Sequence, residues 1–144
     1  MSEAQNLALA RQGLAALNAH DIDGYLKNLD DSFVHESETL GTLHGHAGAR
    51  QMLTTMFQAF PDLHFEVEQL MATGDHVISQ SLLTGTHKGT FAGIAATNKT
   101  VTWRACTVVE VRNGKAIRSR IYADNVSVLR QLGVLPAAQS TAAG

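Results

Sequence analysis

Disulfide chemistry is the first thing this chain cannot do: its 144 residues hold a single cysteine, Cys106, so no intrachain bridge can form. Charge is also sparse. Charged residues make up 17% of the chain and the formal net charge is −2, which gives no basic face for a nucleic acid and no electrostatic reason to sit on an anionic membrane. No apolar run approaches the roughly 20 residues of a membrane span. The opening Met1-Ser2-Glu3-Ala4-Gln5-Asn6 lacks the basic start and apolar stretch of a secretory signal. Low-complexity segments, internal repeats and interdomain linkers are missing too. These absences predict a cytoplasmic protein without nucleic-acid or membrane partners. What is present is ordinary globular material, 44% hydrophobic, in a length that suits one domain. A chain of this size buries roughly 68–70% of its unfolded surface. Residues 1–136 are expected to form that domain, and 137–144, small and polar, a frayed tail.

Residues 3–19 place Leu7, Ala10, Leu14 and Leu17 at three- and four-residue spacing, which predicts an amphipathic helix. His20 to Gly24 breaks it, and Asp21 or Asp23 is placed to cap a short second helix through Leu29. Asp30-Asp31-Ser32 reads as a turn and Phe33 to Glu38 as a short strand. Gly41 to Gly48, rich in glycine and histidine, reads as a loop. A third helix follows from about Ala49 to Ala59 and stops at Pro61-Asp62. The chain then changes character. Strands are predicted at 64–71, 76–87, 100–112 and 115–123, with a turn at Gly74-Asp75, a glycine-rich loop at 85–99 and a hairpin at Asn113-Gly114. A closing helix over 125–132 ends at Gly133 and Pro136. Helices first and a strand meander second predict an α+β fold, with the helices on one face of an antiparallel sheet.

Several segments in this order resemble the SnoaL-like polyketide cyclases of the nuclear transport factor 2-like superfamily. They are Gly48-Ala49-Arg50, Phe60-Pro61-Asp62-Leu63, Gly74-Asp75-His76-Val77, the run from Gly85 to Gly93, Asn113-Gly114-Lys115, and Asp124 followed by Leu129-Arg130-Gln131-Leu132-Gly133. The resemblance implies a cone-shaped α+β barrel whose curved mixed or antiparallel sheet encloses one pocket. It implies acid/base ring closure by intramolecular aldol addition, with no metal or organic cofactor. It places an acid/base aspartate at Asp124, and it implies homodimers or homotetramers that pair through the outer face of the sheet. The chain departs from the family pattern at Asn98, where glycine is common, and at Arg120, where an aromatic is common.

Aldol closure needs a proton taken from carbon and a donor for the developing oxyanion. Asp124 and His87 are the catalytic candidates. His35, Phe33, Phe91, Trp103, Arg120 and Tyr122 are the substrate-binding candidates, the aromatic ones as flat walls for a small hydrophobic, ring-bearing molecule. Each has a plainer alternative. Asp124 precedes a helix and suits an N-cap. Alternation along the last strand sends Arg118, Arg120, Tyr122 and Asp124 to solvent. His87 suits a structural loop position, and Trp103 the core. His44 and His46 are too few to define a zinc site. Cys106 reads as a small buried residue. Epoxide hydrolysis or isomerisation in the same pocket, or ligand binding without catalysis, remain open as alternatives.

Overall fold

Two caps set the first helices. Helix α1 (Glu3–Asn18) opens on a capping box: Ser2 Oγ accepts the Gln5 N–H at 3.1 Å, and Gln5 Oε1 accepts the Ser2 N–H at 2.9 Å. Helix α2 (Ile22–Leu26) starts at Asp21, whose carboxylate accepts the Gly24 N–H at 2.9 Å. These positions come from a computed structural model that describes residues 2–136, so the tail expected at 137–144 lies outside the described residues.

The remaining elements are β1 (Leu29–Ser37), β2 (Gly41–His44), α3 (Gly45–Ala59), β3 (His64–Thr73), β4 (His76–Thr86), β5 (Thr100–Arg112), β6 (Lys115–Ala123) and α4 (Asn125–Gln131). The strands form one sheet in the order β2-β1-β6-β5-β4-β3. All neighbours are antiparallel except β1 and β6, which run parallel with Val34 opposite Arg118 and Ser37 opposite Ile121. The sheet is therefore mixed, and it is open, with β2 and β3 at its edges. Asn113 and Gly114 both have positive φ, 50° and 76°, as the tight β5–β6 hairpin requires.

The segment read as a loop at Gly41 to Gly48 is instead strand β2 followed by the first turn of α3. Gly41 and Gly45, at φ 75° and 67°, make the two bends, and β1 supplies the hydrogen-bonding partner. That strand is defined by pairing with β1, so its composition alone resembles a loop. A Cβ on Gly48 would come 2.8 Å from the Leu43 carbonyl carbon, so glycine lets the start of α3 lie against β2.

The core has two parts. Phe60, Leu63, Leu83, Val101, Trp103 and Val128 fill the end of the sheet under α4 and the 85–99 loop. Leu26, Leu29, Phe33, Ala49 and Ala116 fill the space where α2 and α3 meet β1 and β6. Among the described residues no helix is long and apolar enough to cross a membrane.

Candidate functional site

Between the helical cover and the inner face of the sheet lies a cavity of about 170 Å³. Helix α1 contributes Asn6, Leu9, Gly13, Leu14 and Leu17, and α3 contributes Met52, Met56 and Phe57. The strands contribute the floor. Its layers follow from register, because residues paired across neighbouring strands share a face. One row runs His35 on β1, Ser119 on β6, Val109 on β5 and Val77 on β4. The next runs Ser37, Ile121, Thr107 and Ser79. At the far end Leu83 pairs Trp103, beside Phe65 and Phe91. The cavity thus grades from an aromatic end to a floor carrying hydroxyls and one imidazole. Among the described residues no carboxylate, lysine or arginine lines it.

His35 is the titratable group of that floor. It is 1% exposed. Its Nε2 is 3.2 Å from Ser37 Oγ, and the same oxygen accepts the Leu40 N–H at 3.1 Å, which fixes the hydroxyl in place. Its Nδ1 is buried and has no partner among the described residues. Burial pushes the imidazole pKa below its ordinary value, against a smaller opposing pull from Glu36. Tyr25 also lines the cavity, half-buried by surface, and desolvation pushes its phenol up to about 12.

Of the residues singled out from sequence, the structure brings His35, Phe91 and Trp103 together on the cavity wall. Phe33 is buried in the core beside Leu29 and Ala49 instead. His87 is fully buried but does not line the cavity. Its Nδ1 accepts the Thr97 N–H at 3.2 Å and bonds the Thr97 hydroxyl at 3.0 Å, and its ring packs 5.7 Å from Phe60. It ties down the 85–99 loop.

Asp124, Tyr122 and Arg120 stand outside the cavity. Ser119, Ile121 and Ala123 take the inward positions of β6, so the alternate residues face out. A bulge at Ile117, where Glu110 pairs Arg118 and Val111 pairs Ala116, brings Ala116 inward as well. Asp124 is exposed and its Oδ1 accepts the Ser127 N–H at 3.0 Å as the N-cap of α4. Tyr122 is 58% exposed. Arg120 and Arg118 both bond the carboxylate of Glu36, at 2.9 and 2.6 Å, on the outer face. Tyr122, Asp124 and Arg104 border a shallow outer depression together with Cys106, which is half-buried rather than buried. His46 bonds the Leu29 carbonyl at 2.9 Å, and His44 sits on β2 opposite Val34.

Asn6, Ser79, Ser119 and Thr107 escaped the sequence reading. The signal for the strand residues was available: each is a small hydroxyl two residues from an apolar side chain on the same strand, Val77, Val109 or Ile121. Asn6 carried none.

Six strands in this order, helices over one face and a cavity between them define a cone of the nuclear transport factor 2-like class. The family model for the SnoaL-like polyketide cyclase matches residues 8–132, and the chain belongs to that family. Among solved structures it is similar to AclR from Streptomyces galilaeus, a proposed hydroxylase, with 30% identity over 96% of this chain and 87% of that one and a TM-score of 0.85. It is also similar to a proposed SnoaL-like polyketide cyclase from Jannaschia sp. CCS1, with 23% identity over 93% and 95% of the two chains and a TM-score of 0.85. IdmH from Streptomyces antibioticus, a proposed polyketide cyclase, has 24% identity over 88% and 97% and a TM-score of 0.76. Among curated proteins none matches the chain.

Proposed function

We propose that this protein is a cofactor-free acid/base enzyme that holds a small hydrophobic, ring-bearing molecule in the cone and closes or rearranges it by aldol-type proton transfer, with His35 as the proton-transfer residue. The observation that carries this reading is a buried imidazole on the cavity wall with one nitrogen bonded to a fixed hydroxyl and the other unpartnered. Burial lowers its pKa, so at neutral pH the ring is the free base. With Nε2–H donated to Ser37 Oγ, Nδ1 keeps the lone pair that takes a proton from carbon. The imidazolium then returns a proton to the carbonyl oxygen as the new carbon–carbon bond forms, so no proton is gained or lost overall. Ser119, paired with His35 across the sheet, is the nearby hydroxyl for the developing oxyanion. Trp103 and Phe91 supply the flat walls.

In this reading Asp124 is a helix cap, and so the acid/base position implied by family resemblance moves to His35. Epoxide hydrolysis by a carboxylate pair is disfavoured by a lining without carboxylates among the described residues. Isomerisation, which needs one base to move one proton, suits His35 equally. Pairing into homodimers is part of the proposal. It is supported by an outer face on which Met71 is 39% and Tyr122 58% exposed. So is residence in the cytoplasm, with which a lone cysteine is compatible.

The test is turnover of a panel of aromatic β-keto esters able to close a ring, followed by absorbance. His35→Gln is expected to cut kcat about 100-fold or more while leaving binding intact, the usual weight of a positioned acid/base group. Asp124→Asn, which preserves the cap, is expected to turn over normally. The reverse pattern would overturn the assignment, and binding without turnover of any member would favour a binding module.

A further inference from the structure

Helix α1 buries a polar side chain where its own pattern calls for an apolar one. Asn6 is 1% exposed and lines the cavity on the same side as Leu9, Gly13, Leu14 and Leu17. Asparagine is a mediocre helix former, and half of this amide is unused. Its Nδ2 donates to the Gly74 carbonyl at 3.3 Å, in the turn between β3 and β4. Its Oδ1 is buried without a partner among the described residues. The amide cannot be reversed to help itself, because that would set Oδ1 against the Gly74 carbonyl, acceptor against acceptor. Gly74 therefore fixes which end of the amide is left over, and it is an acceptor.

A buried acceptor left without a donor is costly, because it has given up its hydrogen bond to water and gained none in return. Asn6 lines the cavity and its neighbours on that helix face are apolar, so a donor carried by a molecule in the cavity is the group suited to relieve it. We infer that Asn6 is a specificity residue that accepts a hydrogen bond from a hydroxyl of the bound molecule, a phenol or enol rather than a ketone or ether. This rests on the reading that the cavity is the ligand site, and adds to it the chemical class of one substituent. His35 does not duplicate the role: its Nδ1 lone pair is the one that takes the proton from carbon in that reading, whereas Asn6 Oδ1 accepts a hydrogen bond and takes no proton.

The experiment uses 2-naphthol and 2-methoxynaphthalene, which share a flat two-ring frame and differ in the donor. Binding is read by NMR from the indole N–H of Trp103, the chain's one tryptophan and a member of the cavity wall. The native protein is expected to bind 2-naphthol about tenfold tighter than the ether, the size of one ordinary hydrogen bond. Asn6→Ala should abolish that ratio. Asn6→Asp keeps an acceptor oxygen but loses the donor to Gly74, and should retain the ratio even if the protein melts lower. Equal binding of the two compounds by the native protein, or an unchanged ratio in Asn6→Ala, would overturn the inference and leave the pocket reading standing. A Trp103 resonance that neither compound moves would overturn both.

Discussion

Burial makes an imidazole costly to charge, and at His35 the pull of Glu36 is too small to offset that cost. The consequence for stability has a definite sign. The folded pKa lies below the unfolded value near 6.5, so the unfolded chain binds more protons in the window between the two. Stability is therefore full above about 6.5 and falls as pH drops through that window. His35→Gln should flatten this part of the urea-denaturation profile between pH 7 and pH 5 relative to the native protein, while the other histidines contribute equally to both. At Asp124 the expected effect is a cap's. Asp124→Ala should cost about 1 kcal/mol in chemical denaturation and Asp124→Asn almost nothing. The sequence made these residues visible to different degrees. His35 stood out as a histidine on the first strand, near the helical cover. Asp124 stood out for its place before a helix, and pattern alone left cap and catalyst equally open. Asn6 was hidden, because hydrophobic spacing selected Leu7, Ala10, Leu14 and Leu17; the last three do line the cavity, but the inward face also runs through Asn6, Leu9 and Gly13. A polar residue and a glycine do not announce themselves as inward.

Elements marked by a turn or cap residue were legible, and those defined only by pairing with another strand were not. The β5–β6 hairpin follows from Asn113-Gly114, and α2 from the Asp21 cap. Strand β2 is defined by its hairpin pairing with β1, and the parallel β1–β6 contact by strands brought together from distant parts of the chain; neither segment's composition encodes the partner. Plain alternation put Arg120, Tyr122 and Asp124 outside, and that is where they are; the resemblance had argued for the pocket. The glycine-rich loop at 85–99 has a role of its own. The N–H groups of Lys88 and Gly89 both donate to the Ala59 carbonyl, at 2.9 and 3.2 Å, and so close the end of α3. A Cβ on Gly89 would meet the Gln58 carbonyl oxygen at 2.3 Å. Gly89→Ala should therefore destabilise the fold by about 1–3 kcal/mol, the ordinary cost of forcing atoms into a packed site, read as a lower urea midpoint. An unchanged midpoint would mean that the loop does not dock on α3 in this way.

At the scale of the molecule the sheet has two working faces. Its inner face, under α1 and α3, holds the cavity. Its outer face carries a row of Met71, Ile78 and Val108 in register, with Tyr122 and Cys106 in another. On the proposed reading that second face pairs with another copy. Tyr122→Lys with Met71→Lys should then convert a dimer to a monomer in light scattering, whereas a native chain that is already monomeric would contradict the pairing. The two faces also make two rival places for a ligand: the cavity between Trp103 and His35, and the outer depression bordered by Tyr122 and Asp124. A crystal structure of the protein soaked with 2-naphthol separates them directly. The account predicts the ring system inside the cone, against Trp103 and within reach of His35. Density beside Tyr122 and Asp124, with the cavity empty, would contradict it.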